Sequence, residues 1–162
     1  MIVNELLNPK SIVIVGGSND VEKPGGKILR NIIDGGFRGR LLVINPKESI
    51  VQGINCIADV KEIIEPYDLA ILAIPAKFTL QTVEILAKEK GTKAFIILSA
   101  GFSEFGEQGK LLEKKIADVV SSVGGSLIGP NCIGVLTESY KGVFAGLIPQ
   151  LSNKGCDMVS AS

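Results

Sequence analysis

The chain has 162 residues, with 17 basic and 17 acidic side chains and therefore no net charge. Balanced charge gives no electrostatic reason to expect nucleic acid or an anionic membrane surface as a partner. The chain contains no histidine, which excludes histidine-based triads, histidine-ligated metal sites and phosphohistidine within these residues. Three widely spaced cysteines, Cys56, Cys132 and Cys156, favour neither a disulfide framework nor zinc, and they predict a cytoplasmic location.

Five short apolar runs alternate with amphipathic segments along the chain. The runs cover residues 12–15, 41–45, 68–74, 94–98 and 126–128, and each is continuous and mostly β-branched. Such runs are typical of strands covered on both faces. Helical spacing predicts helices over residues 26–34, 78–90 and 108–123, with a weaker one over 59–64. The alternation predicts an α/β fold, a Rossmann-like doubly wound parallel sheet.

The pattern changes after Gly134. Residues 142–147 and 157–160 are short, strand-like pieces with no helix after them. A last strand without a closing element is typical of the start of a further domain. We therefore predict a first domain over residues 1–140, with residues 141–162 as a linker and the first strand of a missing second domain.

Ligands of open parallel sheets bind beyond the carboxyl ends of the strands, where the strand order reverses. Five small, polar or turn-forming segments follow the predicted strands, at residues 16–20, 45–47, 75–77, 99–101 and 129–131. Such residues are needed for turning alone, but five segments that meet at one edge predict a binding site.

The first segment has the strand–glycine–helix layout that presents backbone N–H groups to phosphate. The dinucleotide fingerprint G-x-G-x-x-G does not fit, because Ser18 and Val21 stand where it requires glycine. About twenty residues beyond these glycines, NAD sites have an acidic residue that binds the ribose hydroxyls. In that region this chain has Lys47 instead. A cation there suits a ribose phosphate, which NADP and coenzyme A both carry. Without a P-loop or nucleophile elbow, these residues indicate a binding domain for a phosphorylated nucleotide.

The same segments match a known family motif by motif. Residues 8–20 have the sequence NPKSIVIVGGSND, and GFRG, VINPK, DLAILAIPA, SAGF and GPNCIG follow in order. Over about residues 8–137 the chain resembles the CoA-binding domain of ADP-forming acetate/acyl-CoA ligases, which also forms the N-terminal half of the succinyl-CoA synthetase alpha subunit. One motif alone would be weak, whereas all of them in register are specific.

The resemblance implies coenzyme A as the ligand. The CoA phosphates would be held by Gly16, Gly17, Ser18 and Asn19. Lys47 would pair with the phosphorylated adenosine end, and Asn131 would lie toward the reactive thiol. The pantetheine path would be lined by Pro75, Ser99, Ala100 and Gly101.

The family interconverts an acyl-CoA, ADP and phosphate with a carboxylic acid, ATP and free CoA, through an acyl phosphate and a phosphorylated histidine. That histidine belongs to the next domain, and nucleotide binds to an ATP-grasp domain or subunit. Because this chain has no histidine, we expect it to bind CoA without turnover and to act with those missing parts. Two alternatives stay open: a CoA-binding regulatory portion of a protein lysine acetyltransferase, and an NADP-binding Rossmann domain.

Overall fold

Seven strands form one sheet in the computed structural model of the chain, which describes residues 2–146 and 148. The strands are β1 Ser11–Val15, β2 Arg40–Ile44, β3 Ile50–Val51, β4 Ile54–Ile57, β5 Leu69–Leu72, β6 Ala94–Ile97 and β7 Ser126–Ile128. Their order across the sheet is β3-β4-β2-β1-β5-β6-β7. The pairings are parallel apart from that of β3 with β4. The predicted Rossmann-like α/β fold is therefore confirmed.

Helix α1, Asn4–Leu7, precedes β1. Helices α2 Pro24–Asp34, α3 Ala76–Glu84 and α4 Glu107–Ser122 connect β1 to β2, β5 to β6 and β6 to β7, and a π-helical turn, Ile85–Glu89, continues α3. Helix α2 begins two residues earlier than predicted, because proline fits the first helical position. The predicted weak helix over residues 59–64 is a single 3-10 turn, Val60–Glu62. Within the described ranges, no helix is long and apolar enough to cross a membrane.

The sheet has an apolar core on each face, because successive side chains of a strand point to opposite sides. In β1, Val13 and Val15 belong to the core that α3 and α4 cover. Ile12 and Ile14 belong to the core that α2 covers. All of β1 is buried, which explains why its sequence is continuously apolar.

One apolar residue of α4 lies outside the core. Leu111 belongs to the apolar repeat along this helix, but the structure leaves it 54% exposed. The buried stripe of α4 contains Ile116, Val119 and Val120, and Leu112 packs against the same core. Leu112 lies one turn before Ile116, so Leu111 is rotated about 100° away from that stripe.

A hairpin of β8 Gly134–Leu136 and β9 Lys141–Val143 follows the sheet and packs against α2. The Asn31 side-chain amide donates to the Val143 carbonyl at 2.6 Å. Tyr140 is 1% exposed, and its hydroxyl donates to the Leu6 carbonyl at 2.8 Å. The strand predicted over residues 142–147 begins at Lys141 and ends at Val143. The one predicted over 157–160 lies outside the described residues.

Replacing Tyr140 by phenylalanine should lower the free energy of unfolding by about 1–2 kcal/mol, because the buried Leu6 carbonyl loses its hydroxyl donor. The matched control is Tyr67→Phe, since Tyr67 is also a buried residue but its hydroxyl bonds to no atom in residues 2–146 and 148. Urea denaturation of the two variants should show a smaller loss for Tyr67→Phe. Equal losses would contradict a specific role for the Tyr140 hydroxyl.

Candidate functional site

The strand order reverses at β1, which pairs with β2 on one side and with β5 on the other. Loops leaving β1 and β5 therefore separate and open a crevice at the carboxyl ends of the strands. The predicted binding residues lie in loops at these ends: Gly16, Gly17, Ser18 and Asn19 after β1, Lys47 after β2, Pro75 after β5, Ser99, Ala100 and Gly101 after β6, and Asn131 after β7. The fold thus brings them to one edge of the sheet.

Hydrogen bonds join these loops to one another. The Gly16 N–H donates to the Ile44 carbonyl at 2.9 Å, which ties the loop after β1 to the end of β2. The Ser99 hydroxyl donates to the Ile74 carbonyl at 2.5 Å, next to Pro75. The Asn131 N–H donates to the Ser99 carbonyl at 3.0 Å. The loops after β1 and β2 are therefore joined on one side of the crevice, and those after β5, β6 and β7 are joined on the other.

Two glycines allow the loop after β1 to pack between β5 and α2. Gly16 has φ +86°, and a Cβ there would lie 2.5 Å from the Ala73 carbonyl oxygen. A Cβ on Gly25, in the first turn of α2, would overlap the Gly16 carbonyl oxygen. Any larger residue at either position would push the loop away from its neighbours.

Three consecutive N–H groups of this loop are unpaired. Those of Gly17, Ser18 and Asn19 donate to no acceptor in the described part of the chain. Gly17 is buried and Ser18 is half-buried. Buried N–H groups without an acceptor are rare, and successive free N–H groups form a concavity that binds anions. The loop can therefore bind phosphate oxygens.

The loop after β2 places a cation at the same edge. The Asn45 side-chain amide donates to the Gly17 carbonyl at 2.9 Å, and its oxygen accepts from the Lys47 N–H at 2.9 Å. The Lys47 side chain is exposed and makes no ion pair or hydrogen bond with the residues that the structure describes. Its ammonium group is therefore available to an anion from outside the chain.

A cleft of about 310 Å³ opens beside Gly16. Its apolar wall includes Pro46, Ile74 and Phe78, of which Phe78 is 51% exposed. An apolar wall with an exposed aromatic ring suits a planar ring system. A second hollow, of about 360 Å³, lies between α2 and the starts of β2 and β4 and contains none of the predicted binding residues.

Two titratable groups near this edge have shifted pKa values. Burial raises the pKa of the Cys132 thiol, which donates to the Ile97 carbonyl and stays protonated at neutral pH. A hydrogen bond from the Gly101 N–H, at 2.6 Å, lowers the pKa of the Glu104 carboxyl. No group of three or more cysteine, aspartate or glutamate side chains among the described residues could hold a metal.

Gln52, in the two-residue turn between β3 and β4, is a contact residue of this edge that the sequence did not predict. Its side-chain amide donates to the Ser18 carbonyl at 2.7 Å and to the Gly26 carbonyl at 2.9 Å. These partners are 34 and 26 residues away along the chain, so no local pattern marks the contact.

The fold and its free N–H groups define a class, the α/β domains that bind phosphorylated nucleotides at the carboxyl edge of a parallel sheet. Within this class the chain belongs to the CoA-binding domain family, whose model it matches over residues 10–138. The resemblance inferred from the motifs is therefore confirmed.

The chain is similar to a curated ligase subunit and to solved structures, one of them a synthetase. It is 38% identical over 136 residues to the alpha subunit of an ADP-forming acetate–CoA ligase II of Pyrococcus furiosus, covering 83% of this chain and 29% of that protein. A crystal structure from Pyrococcus horikoshii OT3 matches with TM-score 0.80 and 36% identity, over 88% of this chain and 33% of that one. An acetyl-coenzyme A synthetase of Ca. Korarchaeum cryptofilum matches with TM-score 0.79 and 30% identity, over 86% and 30%. The chain spans about a third or less of these relatives.

Replacing Gly25 by alanine should lower the free energy of unfolding by about 1–3 kcal/mol, because the new Cβ overlaps the Gly16 carbonyl oxygen. In an unhindered helix the same exchange would instead stabilise by about 1 kcal/mol. Gly36→Ala is the control, since a Cβ there meets no atom within 4 Å and only its φ of +75° opposes alanine. Chemical denaturation that finds Gly25→Ala as stable as the wild type would contradict the close packing.

Proposed function

We propose that the chain is the CoA-binding module of an ADP-forming acyl-CoA synthetase and binds CoA at the edge described above. The observation that carries the proposal is the row of free N–H groups at Gly17, Ser18 and Asn19, in a loop that is hydrogen-bonded to the loop of an unpaired lysine. The diphosphate of CoA would accept from these N–H groups. Lys47 would pair with the phosphate on the adenosine end, and family membership supports CoA as the ligand.

The remaining parts of CoA fit the rest of the edge. The adenine ring would lie in the cleft between Pro46 and Phe78, where aromatic and apolar surface is exposed. The pantetheine arm would run along Pro75, Ser99 and Ala100 toward Asn131. Gly101 would line this path without donating, because Glu104 already accepts from its N–H.

The parent activity is the second part of the proposal. Several relatives are named ADP-forming acetate–CoA ligases, which supports conversion of an acid, ATP and CoA to an acyl-CoA, ADP and phosphate in the whole protein. The histidine and the nucleotide site that such chemistry requires would come from a second domain and an ATP-grasp domain or subunit. The division after residue 140 and the cytoplasmic location belong to this proposal.

Lys47→Ala should weaken CoA binding about tenfold, or about 1.4 kcal/mol, because a charge-assisted contact with phosphate is lost. Isothermal titration calorimetry with CoA and with 3′-dephospho-CoA measures this. The variant and the wild type should bind 3′-dephospho-CoA with similar affinity, since that ligand lacks the phosphate that Lys47 is proposed to contact.

The control for this experiment is Lys114→Ala, which removes an exposed lysine of α4 that pairs with Asp118. It should leave CoA affinity unchanged. Equal affinity of the wild type for CoA and its dephospho form would overturn the role of Lys47. Tighter binding of NADP than of CoA would favour the NADP-binding alternative.

The isolated chain should form no acetyl-CoA from acetate, ATP, Mg²⁺ and CoA while still binding CoA. The expected result follows from the lack of histidine and of a nucleophilic thiolate at the described edge. A thioester assay by liquid chromatography gives the measurement. Product formed in proportion to the amount of chain would contradict the division of labour between binding module and catalytic domains.

A further inference from the structure

We propose that Gln52 is a positioning residue for the phosphate-binding loop, acting from the turn between β3 and β4. The identity of the ligand in this proposal rests on the proposed function. The positioning itself rests on contacts within the chain and can be measured without any ligand.

The turn contacts the loop after β1 at several points. The Gln52 side-chain amide donates to the Ser18 and Gly26 carbonyls. The Gln52 N–H donates to the Asn19 side-chain oxygen at 2.8 Å, and the Asn19 amide donates in return to the Ile50 carbonyl at 3.4 Å. One side chain thus links the middle of the loop to the first turn of α2.

Fixing the Ser18 carbonyl also fixes an N–H group. In a trans peptide the carbonyl of one residue and the N–H of the next point in opposite directions. Because the Ser18 carbonyl is held by Gln52, the Asn19 N–H is directed away from the turn. In the same way, Asn45 holds the Gly17 carbonyl, and the Ser18 N–H therefore points in the opposite direction. Gln52 therefore helps to keep a row of N–H groups aligned and free.

The backbone of the turn disfavours the residue that makes these contacts. Gln52 has φ +50° and Gly53 has φ +82°, as in the tight hairpin turns that prefer asparagine followed by glycine. Glutamine is uncommon in this left-handed region, where asparagine is several-fold enriched. Asparagine would suit the turn better, but its side chain is one methylene shorter. The glutamine side chain reaches two carbonyls, and these hydrogen bonds offset the less favourable backbone conformation.

The Gln52→Asn variant separates positioning from folding. Asparagine favours the backbone conformation of the turn, but its shorter side chain no longer reaches the two carbonyls. The thermal midpoint should therefore stay close to that of the wild type. Affinity for CoA should fall about threefold to tenfold, because the loop must then be ordered on binding. Adenosine 3′-phosphate, which lacks the diphosphate, should lose less than twofold. Without ligand, ¹⁵N relaxation should show lower order parameters at Gly17, Ser18 and Asn19.

Gly53→Asn is the matched control, because asparagine tolerates the positive φ and a Cβ at this position meets no atom within 4 Å. It should leave CoA affinity and loop order unchanged. Unchanged affinity and loop order in Gln52→Asn would overturn the proposal, and so would an equal loss for CoA and adenosine 3′-phosphate. If the wild type binds no CoA, the proposed function fails and loop order alone decides: lower order parameters in the variant support positioning, and unchanged ones refute it.

Discussion

The close approach of α2 to the loop after β1 is the constraint on which the candidate site depends. The first turn of the helix lies so near the loop that a Cβ on Gly25 would overlap the Gly16 carbonyl oxygen, and one on Gly26 would overlap that of Asp20. The loop can approach the helix this closely only because the facing helix residues are glycines, which have no side chain. This explains why glycine is enriched here, and it leaves backbone N–H groups as the main donors for a ligand.

Three parts of the fold align those N–H donors. Helix α2 packs against the Gly16 carbonyl, Asn45 at the end of β2 holds the Gly17 carbonyl, and the turn between β3 and β4 holds the Ser18 carbonyl. Each fixed carbonyl turns the next N–H the other way. The packing of the sheet and its edge hairpin stabilises this alignment, so the donors are already ordered before an anion binds.

The sequence predicted the central strands and the loops that meet at one edge of the sheet, because each strand and the turn after it are local features. Runs such as residues 12–15 are apolar throughout, and buried parallel strands require that. The hairpin of β3 and β4 was missed, because its strands have two and four residues and its turn contains Gln52 instead of the usual asparagine. The contact of Gln52 with Ser18 was not predicted either, because tertiary packing alone brings the two residues together. The exposure of Leu111 shows the same limit, since helical spacing does not fix which of two adjacent leucines faces the core.

A loop that binds phosphate through its backbone does not distinguish the nucleotides that carry a diphosphate. CoA, NAD and NADP would all present similar oxygens to Gly17, Ser18 and Asn19. Discrimination must therefore come from side chains around the loop, and the described edge offers two such features. In the proposed function, Lys47 would contact an additional phosphate on the ribose, and the cleft beside Phe78 would limit where the attached base can lie. Since NADP and CoA both carry that phosphate on different ribose oxygens, the distance between lysine and cleft is the feature that would select one over the other.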